Sequence, residues 1–294
     1  MRVTDRLVFQ QATSDLAAAR TRAENAQHVA STGLRVEQPG DDPAAAGALA
    51  AAPLAQARYT AIGAAAGLAS DELQSAGGAL DTVGTALSRA RELAVQLANG
   101  TYSASDRTGG ASEVDGLVST VIGALNLKVG DRYVFGGTKD DAPPFDAAGN
   151  YAGDAGVRQV EIAPGVLQDA SVQADAAIKG AGGGVDVLAT LGKLHDALAA
   201  NDPAAVTATL DDLDTSIDQV STARAQAGVA MNALDTAVTA SKAAADDVQT
   251  RASKLSDADV IDSATQLAAA QTALQASMAA TAQGFQLSLI NYLK

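Results

Sequence analysis

The chain has 294 residues and carries 20 Lys and Arg against 34 Asp and Glu, a formal charge of −14. That balance repels nucleic acid and anionic membrane and argues against either as a partner. Cysteine is absent, which rules out disulfides and thiolate metal sites. The apolar content is largely alanine, with no Trp and only nine Phe and Tyr together. Alanine buries little surface but lets helix axes approach closely, so long helices laid side by side are expected in place of a thick core.

No apolar run reaches transmembrane length, so no membrane insertion is expected. Residues 1–30 lack the charged start, apolar stretch and cleavage site of a secretory signal. An exported chain of this kind would need a route that cleaves no signal.

The first arm and its turn, residues 1–42, open on a stripe at Phe9, Ala12, Leu16, Ala19, Ala23, Ala26 and Ala30. This alternating three-four spacing is that of a coiled coil. Gly33 stands where such a helix would end in a left-handed cap, and Pro39-Gly40 marks a turn. Asp42-Pro43 is a strong helix start, because the carboxylate can accept orphan amide bonds where proline needs no donor.

A helical rod region follows over 43–128. Its first helix runs to about Ala98 with a bend expected near Pro53, and Asn99-Gly100 ends it. Ile62, Ala66, Ala69, Leu73, Ala76, Leu80, Val83, Leu87, Ala90, Ala94 and Leu97 recur at steps of three and four, a rod of roughly 55 Å at 1.5 Å per residue. A further helix is expected from about Ser112 to Asn126, with Val114, Leu117, Val121 and Leu125 on one side.

Over 129–185 the period changes. Tyr133 to Phe135, Val157 to Ile162 and Val166 to Gln173 read as short strands between Gly and Pro turns, a small β-rich insertion. Helix returns over 186–255, restarting at Asp202-Pro203. The last arm, 256–294, starts among Asp257, Asp259 and Asp262, acids suited to a helix amino terminus. Leu267, Leu274, Met278, Phe285, Leu289 and Tyr292 then form a second stripe.

Chain ends are usually polar and frayed, yet here both carry apolar seams that something must cover. The simplest cover is mutual: the terminal helices pair, and the outer face of the pair meets neighbouring copies. The expected fold class is mainly α, with long antiparallel coiled-coil helices from both termini and a compact outer β domain.

Ser31-Thr32-Gly33-Leu34-Arg35-Val36 followed by Asp41-Asp42-Pro43-Ala44-Ala45 resembles the loop after the first helix of flagellins and hook-associated proteins. Arg91 to Gly100 resembles the end of their second helix, and Ala223 to Gly228 with Asn232 and Leu234 the returning one. Gly130 to Gly137 with Pro144-Phe145, the opening Met1-Arg2-Val3-Thr4, and Ser288 to Leu293 are similar to the hook-associated protein 3 branch of this flagellin-like superfamily.

The resemblance implies a structural part of the bacterial flagellum at the hook–filament junction, exported unfolded by the flagellar type III system and lying outside the cell. It implies as partners hook-associated protein 1, flagellin, further copies of the chain in a ring or helical layer, and an export chaperone. The residues expected to meet other subunits are Phe9, Leu16, Arg35, Asp41, Asp42, Leu267, Leu274, Met278, Phe285, Leu289 and Tyr292. Arg35 has two readings: it pins the turn between helices, or it bridges to a neighbouring copy. The alternatives are a flagellin filament subunit and, remotely, a secreted hydrolase.

Chemistry is otherwise sparse. His28 and His195 are the only histidines, and each falls in an expected helix, where a structural or solvent-facing role is the simpler reading. Gly180 to Gly184 lacks the Lys-Ser or Lys-Thr of a phosphate loop. Asp140-Asp141 and the acids from Asp211 to Asp218 lack calcium-loop spacing and read as solvated faces. No catalytic residues, cofactor or metal are expected.

Overall fold

The computed structural model describes the backbone of residues 2–292 and the side chains of residue 7 and of residues 9–283. Helix dominates. α1 (Arg2–Thr32) ends as expected at Gly33, whose φ is 71° and whose N–H donates to the Val29 carbonyl at 2.9 Å. α2 (Pro43–Leu97) begins where Asp42 Oδ1 accepts the amides of Ala44 and Ala45, each at 3.2 Å. Pro53 lies within α2, which continues through it.

α3 (Ala104–Leu125) starts eight residues before the expected Ser112. A reciprocal cap explains the early start: the Asp106 amide donates to Ser103 Oγ at 3.2 Å, and the Ser103 amide donates to Asp106 Oδ2 at 2.9 Å. Gly109-Gly110 lies inside α3. A Cβ at residue 110 would lie 2.2 Å from Leu97 Cδ1, so the glycine lets α3 close against the end of α2.

The insertion is smaller and looser than a compact β domain. β1 (Lys128–Val129) pairs antiparallel with β2 (Arg132–Tyr133), and β3 (Gln159–Ala163) with β4 (Val166–Asp169), as two separate hairpins. Side chains tie the intervening segment to backbone. Asn126 exchanges two hydrogen bonds with the Phe145 main chain, Asp146 accepts the amides of Ala148 and Asn150, and Asp154 accepts those of Thr138 and Gly156. A short α4 (Ala174–Ala177) follows. The returning helix is broken where one segment was expected to restart: α5 (Val187–Ala199) and α6 (Pro203–Ala208) precede α7 (Leu210–Ser256), and α8 (Val260–Tyr292) completes the chain.

Contacts divide the chain into two compact units, residues 1–57 with 246–294, and residues 58–245. In the 58–245 unit, α2 and α7 run antiparallel in constant register. Gly63 faces Ser241, Ser70 Oγ donates to Asp235 at 2.7 Å, Asp81 pairs with Arg224, and Arg91 Nη2 reaches Asp214 at 3.2 Å. Each step forward along α2 is matched by one step back along α7. Every one of the eleven seam positions from Ile62 to Leu97 is buried, and Phe135, Phe145 and Ile178 from the insertion join the same core. α3 packs on α5 through Val114, Val121 and Leu125 against Val187, Leu191, Leu194 and Leu198. In the other unit, α1 packs along α8.

Candidate subunit interface on the terminal helices

The unit of residues 1–57 and 246–294 is held at one place by a joint between two helix connections. The turn after α1 lies against the α7–α8 connection. Leu34 bridges to Asp257, the Arg35 and Val36 amides both donate to the Ser256 carbonyl at 2.6 and 3.1 Å, and the Ala258 amide donates to the Gly33 carbonyl at 2.8 Å. Arg35 sits at the centre. Its Nη2 donates to the Leu255 carbonyl at 2.7 Å, near the carboxyl end of α7 where a cation is favoured, and its Nη1 reaches Asp42 at 3.4 Å.

Asp41 closes the turn by accepting the Glu37 and Gln38 amides at 3.0 and 2.8 Å, and these bonds hold its carboxyl below the usual range. The Ala45 amide, followed by Arg35 and the Ala44 amide, does the same for Asp42. Asp257 is lowered by the hydroxyls of Ser253 and Ser256. His28 pairs with Glu37, joining the last turn of α1 to the same loop. Asp259 caps α8 by accepting the Ile261 and Asp262 amides at 2.8 and 3.1 Å.

From this joint α1 and α8 run together along a shallow seam. On α1, Ala19 and Ala23 are buried, with Ala12, Leu16 and Ala26 half-buried. On α8 the covered positions are Ser263, Leu267, Ala270, Leu274, Ser277 and Thr281, a strict alternation of four and three. Three of these are hydroxyl residues, which can sit in a seam because each donates back to its own helix: Ser263 to Val260, Ser277 to Ala273 and Thr281 to Ser277. A reading of apolar spacing alone assigns the stripe to Met278 after Leu274. The structure instead covers Ser277 and leaves Met278 47 % exposed.

The predicted residues whose side chains are described fall into three groups. Arg35, Asp41 and Asp42 come together in the joint, and Leu16, Leu267 and Leu274 line the seam. Phe9 and Met278 are 50 % and 47 % exposed. The side chains of Phe285, Leu289 and Tyr292 are outside the described residues. Sequence reading missed four more exposed apolar residues in this unit, Leu7, Leu54, Val260 at 76 % and Ile261 at 80 %. Val260-Ile261 follows the Asp259 cap directly, and two adjacent branched residues on a first helical turn, with only one side of the turn covered, were the available signal.

Also missed was Arg107, 3 % exposed. Its Nε donates to the Leu97 carbonyl at 2.9 Å, Nη1 to the Tyr102 carbonyl at 3.0 Å and to Asn201 Oδ1 at 2.6 Å, and Nη2 to the Asn99 carbonyl at 2.9 Å. The guanidinium thus caps the carboxyl end of α2, where orphan carbonyls and the helix dipole attract a cation. No local pattern announces a cap supplied ten residues downstream. His195 lies between Asp115 and Asp196 at 3.5 and 3.0 Å, as a link from α3 to α5.

Among the described residues no group of three or more His, Asp or Glu is placed to hold a metal, and no helix is long and apolar enough to cross a membrane. The lining of an open groove beside β4 and α7 mixes amides and hydroxyls such as Gln219, Gln226 and Thr222 with apolar Leu73, Val172 and Val229.

The model of the bacterial flagellin N-terminal helical region matches residues 5–139, and that of the flagellin C-terminal helical region matches residues 210–293. The chain is 32 % identical over 162 residues to flagellar hook-associated protein 3 of Salmonella typhimurium, covering 54 % of this chain and 51 % of that protein. It is 35 % identical over 127 residues to the Escherichia coli protein of the same name, covering 42 % and 40 %. It thus spans about half or less of the length of the curated relatives it matches. A solved structure from Vibrio parahaemolyticus, assigned as a flagellar hook-associated protein, shares the fold with a TM-score of 0.67 at 24 % identity, covering 74 % of this chain and 100 % of that one. Both helical ends match the corresponding ends of one family, in the same order and on either side of the β3–β4 hairpin, and the chain belongs to the flagellin family.

Proposed function

We propose that the chain is a structural, non-enzymatic adaptor at the hook–filament junction of the bacterial flagellum. It meets hook-associated protein 1 on one side and flagellin on the other, lies outside the cell, and reaches that place through the flagellar type III system with an export chaperone. The names of its curated relatives support this reading. The observation that carries it is the exposed apolar set on the terminal-helix unit: Leu7, Phe9, Leu54, Val260, Ile261 and Met278.

Fully burying a side chain of this kind is worth about 1.5–3 kcal/mol. Six of them, already partly covered, yield on the order of 10 kcal/mol, comparable with the cost of association, about 4–15 kcal/mol. One pairwise contact is therefore marginal. A layer in which each copy has several neighbours is favoured, and this is the sense in which Phe9, Met278 and the terminal stripe act as interface residues.

Immunolabelling of isolated flagella tests the assignment. A narrow band at the hook boundary is expected. Label along the whole filament would instead make the chain a filament subunit, and absence of label from flagella would remove the proposal.

A further inference from the structure

The turn that ends α2 holds the one asparagine, of seven in the chain, that is followed by glycine. We propose that Asn99-Gly100 is a site of self-catalysed modification, at which the Asn99 side-chain amide is converted through a cyclic imide to aspartate and isoaspartate.

Three features of the turn converge on that chemistry. First, Asn99 Oδ1 accepts both the Thr101 amide and the Thr101 hydroxyl, each at 3.1 Å, so the side-chain amide is folded back along its own main chain, over residue 100. Two donors on this oxygen polarise the carbonyl, and the same two would stabilise the oxyanion formed when its carbon is attacked. Second, the attacking atom is unengaged. The amides of Ala98, Asn99, Thr101 and Tyr102 all donate, whereas the Gly100 N–H has no hydrogen bond among the described residues. Third, residues 99–101 are exposed, so water can reach the ring.

The reaction balances without an added redox partner. The Gly100 nitrogen bonds to Asn99 Cγ and gives its proton to water, the side-chain nitrogen leaves as ammonia, and one water opens the imide at either carbonyl. Opening at one carbonyl gives aspartate. Opening at the other gives isoaspartate, with the main chain rerouted through Cβ.

The location gives the change a consequence. The Asn99 carbonyl is held by Arg107 Nη2 at 2.9 Å and by the Tyr102 amide at 3.3 Å. An added methylene in the main chain displaces that carbonyl and loosens the Arg107 cap on α2. Either product also adds a negative charge near a buried guanidinium whose four hydrogen bonds go to neutral oxygens.

The test is incubation of the folded full-length protein at mildly alkaline pH, followed by peptide mapping for the one-dalton gain and for isoaspartate. Asn99 should convert faster than Asn25, Asn126 and Asn201, each followed by a larger residue, by on the order of tenfold or more. Gly100→Ala is a clean control: a Cβ there meets nothing within 4 Å, and the φ lies outside the left-handed region, so the variant should fold while conversion slows by roughly tenfold. Thr101→Val, which keeps the amide and removes the hydroxyl, should slow it less. Conversion at Asn99 no faster than at the other three asparagines, or an unchanged rate in Gly100→Ala, would overturn the proposal.

Discussion

Two stretches of this molecule carry the same three-four spacing and do opposite things with it. Along α2 from Ile62 to Leu97 the seam is sealed, with Leu73, Leu80 and Leu87 at 1 % exposure or less. Along α1 and α8 it is shallow: Leu16, Leu267 and Leu274 are half-buried, and Phe9 and Met278 are about half exposed. Spacing decides which residues share a face. How deeply that face is buried depends on what packs on it, and α2 meets α7 and the hairpin insertion, whereas α1 meets α8.

The comparison breaks most clearly on matched leucines. Leu80→Ala removes a fully buried side chain from a closed core and should cost about 2–5 kcal/mol. Leu16→Ala, on the half-covered seam, should cost about 1 kcal/mol in the isolated protein. Because the chain has two compact units, unfolding should be followed by residue-resolved hydrogen exchange, which does not assume one transition. Equal losses at the two positions would mean that the terminal seam is as closed as the rod.

A smaller effect separates the joint from the seam it anchors. Asp41, Asp42 and Asp257 all have folded-state carboxyls held below their ordinary values. Their contribution is therefore complete above the unfolded value of about 4 and is lost as pH falls through the lower folded values. Between neutral pH and pH 3, exchange protection at residues 34–45 should fall before protection along Ile62 to Leu97. Arg35→Ala should produce part of the same loss at neutral pH, because it frees the Leu255 carbonyl and Asp42 together. Unchanged protection at 34–45 in that variant would leave Arg35 only its second role, as a bridge to a neighbouring copy.

Much of this was legible in the sequence where one local rule suffices. All eleven rod positions are buried, Gly33 takes the left-handed cap, and Asp42 and Asp202 accept helix-start amides. Failures came where a distant or polar group decides. α3 begins at the Ser103–Asp106 cap, eight residues before the expected Ser112, and its Gly110 leaves room for the Leu97 side chain. The insertion is two hairpins because Asp146, Asp154 and Asn126 satisfy backbone groups that a continuous sheet would otherwise pair, and alternation cannot register such bonds. The Arg107 cap joins three separated segments, and on the terminal seam Ser277 displaced Met278 because a back-bonded hydroxyl behaves there as a small residue.

That last displacement yields the smallest effect in the isolated protein and the most informative one for assembly. Met278 is outside the α1–α8 seam, so Met278→Ser should change monomer stability by no more than about 0.5 kcal/mol. If the outward side of α8 is where a neighbouring copy packs, the same change removes apolar contact at every repeat of a layer. A loss too small to measure in one chain is then multiplied by the number of neighbours, and incorporation at the hook–filament junction should fall. The control is Ser277→Ala, which keeps a small side chain on the covered side and should incorporate normally. If Met278→Ser also assembles at the wild-type level, the outward methionine is an ordinary exposed residue and the contact surface must be sought at Phe9 and Val260-Ile261.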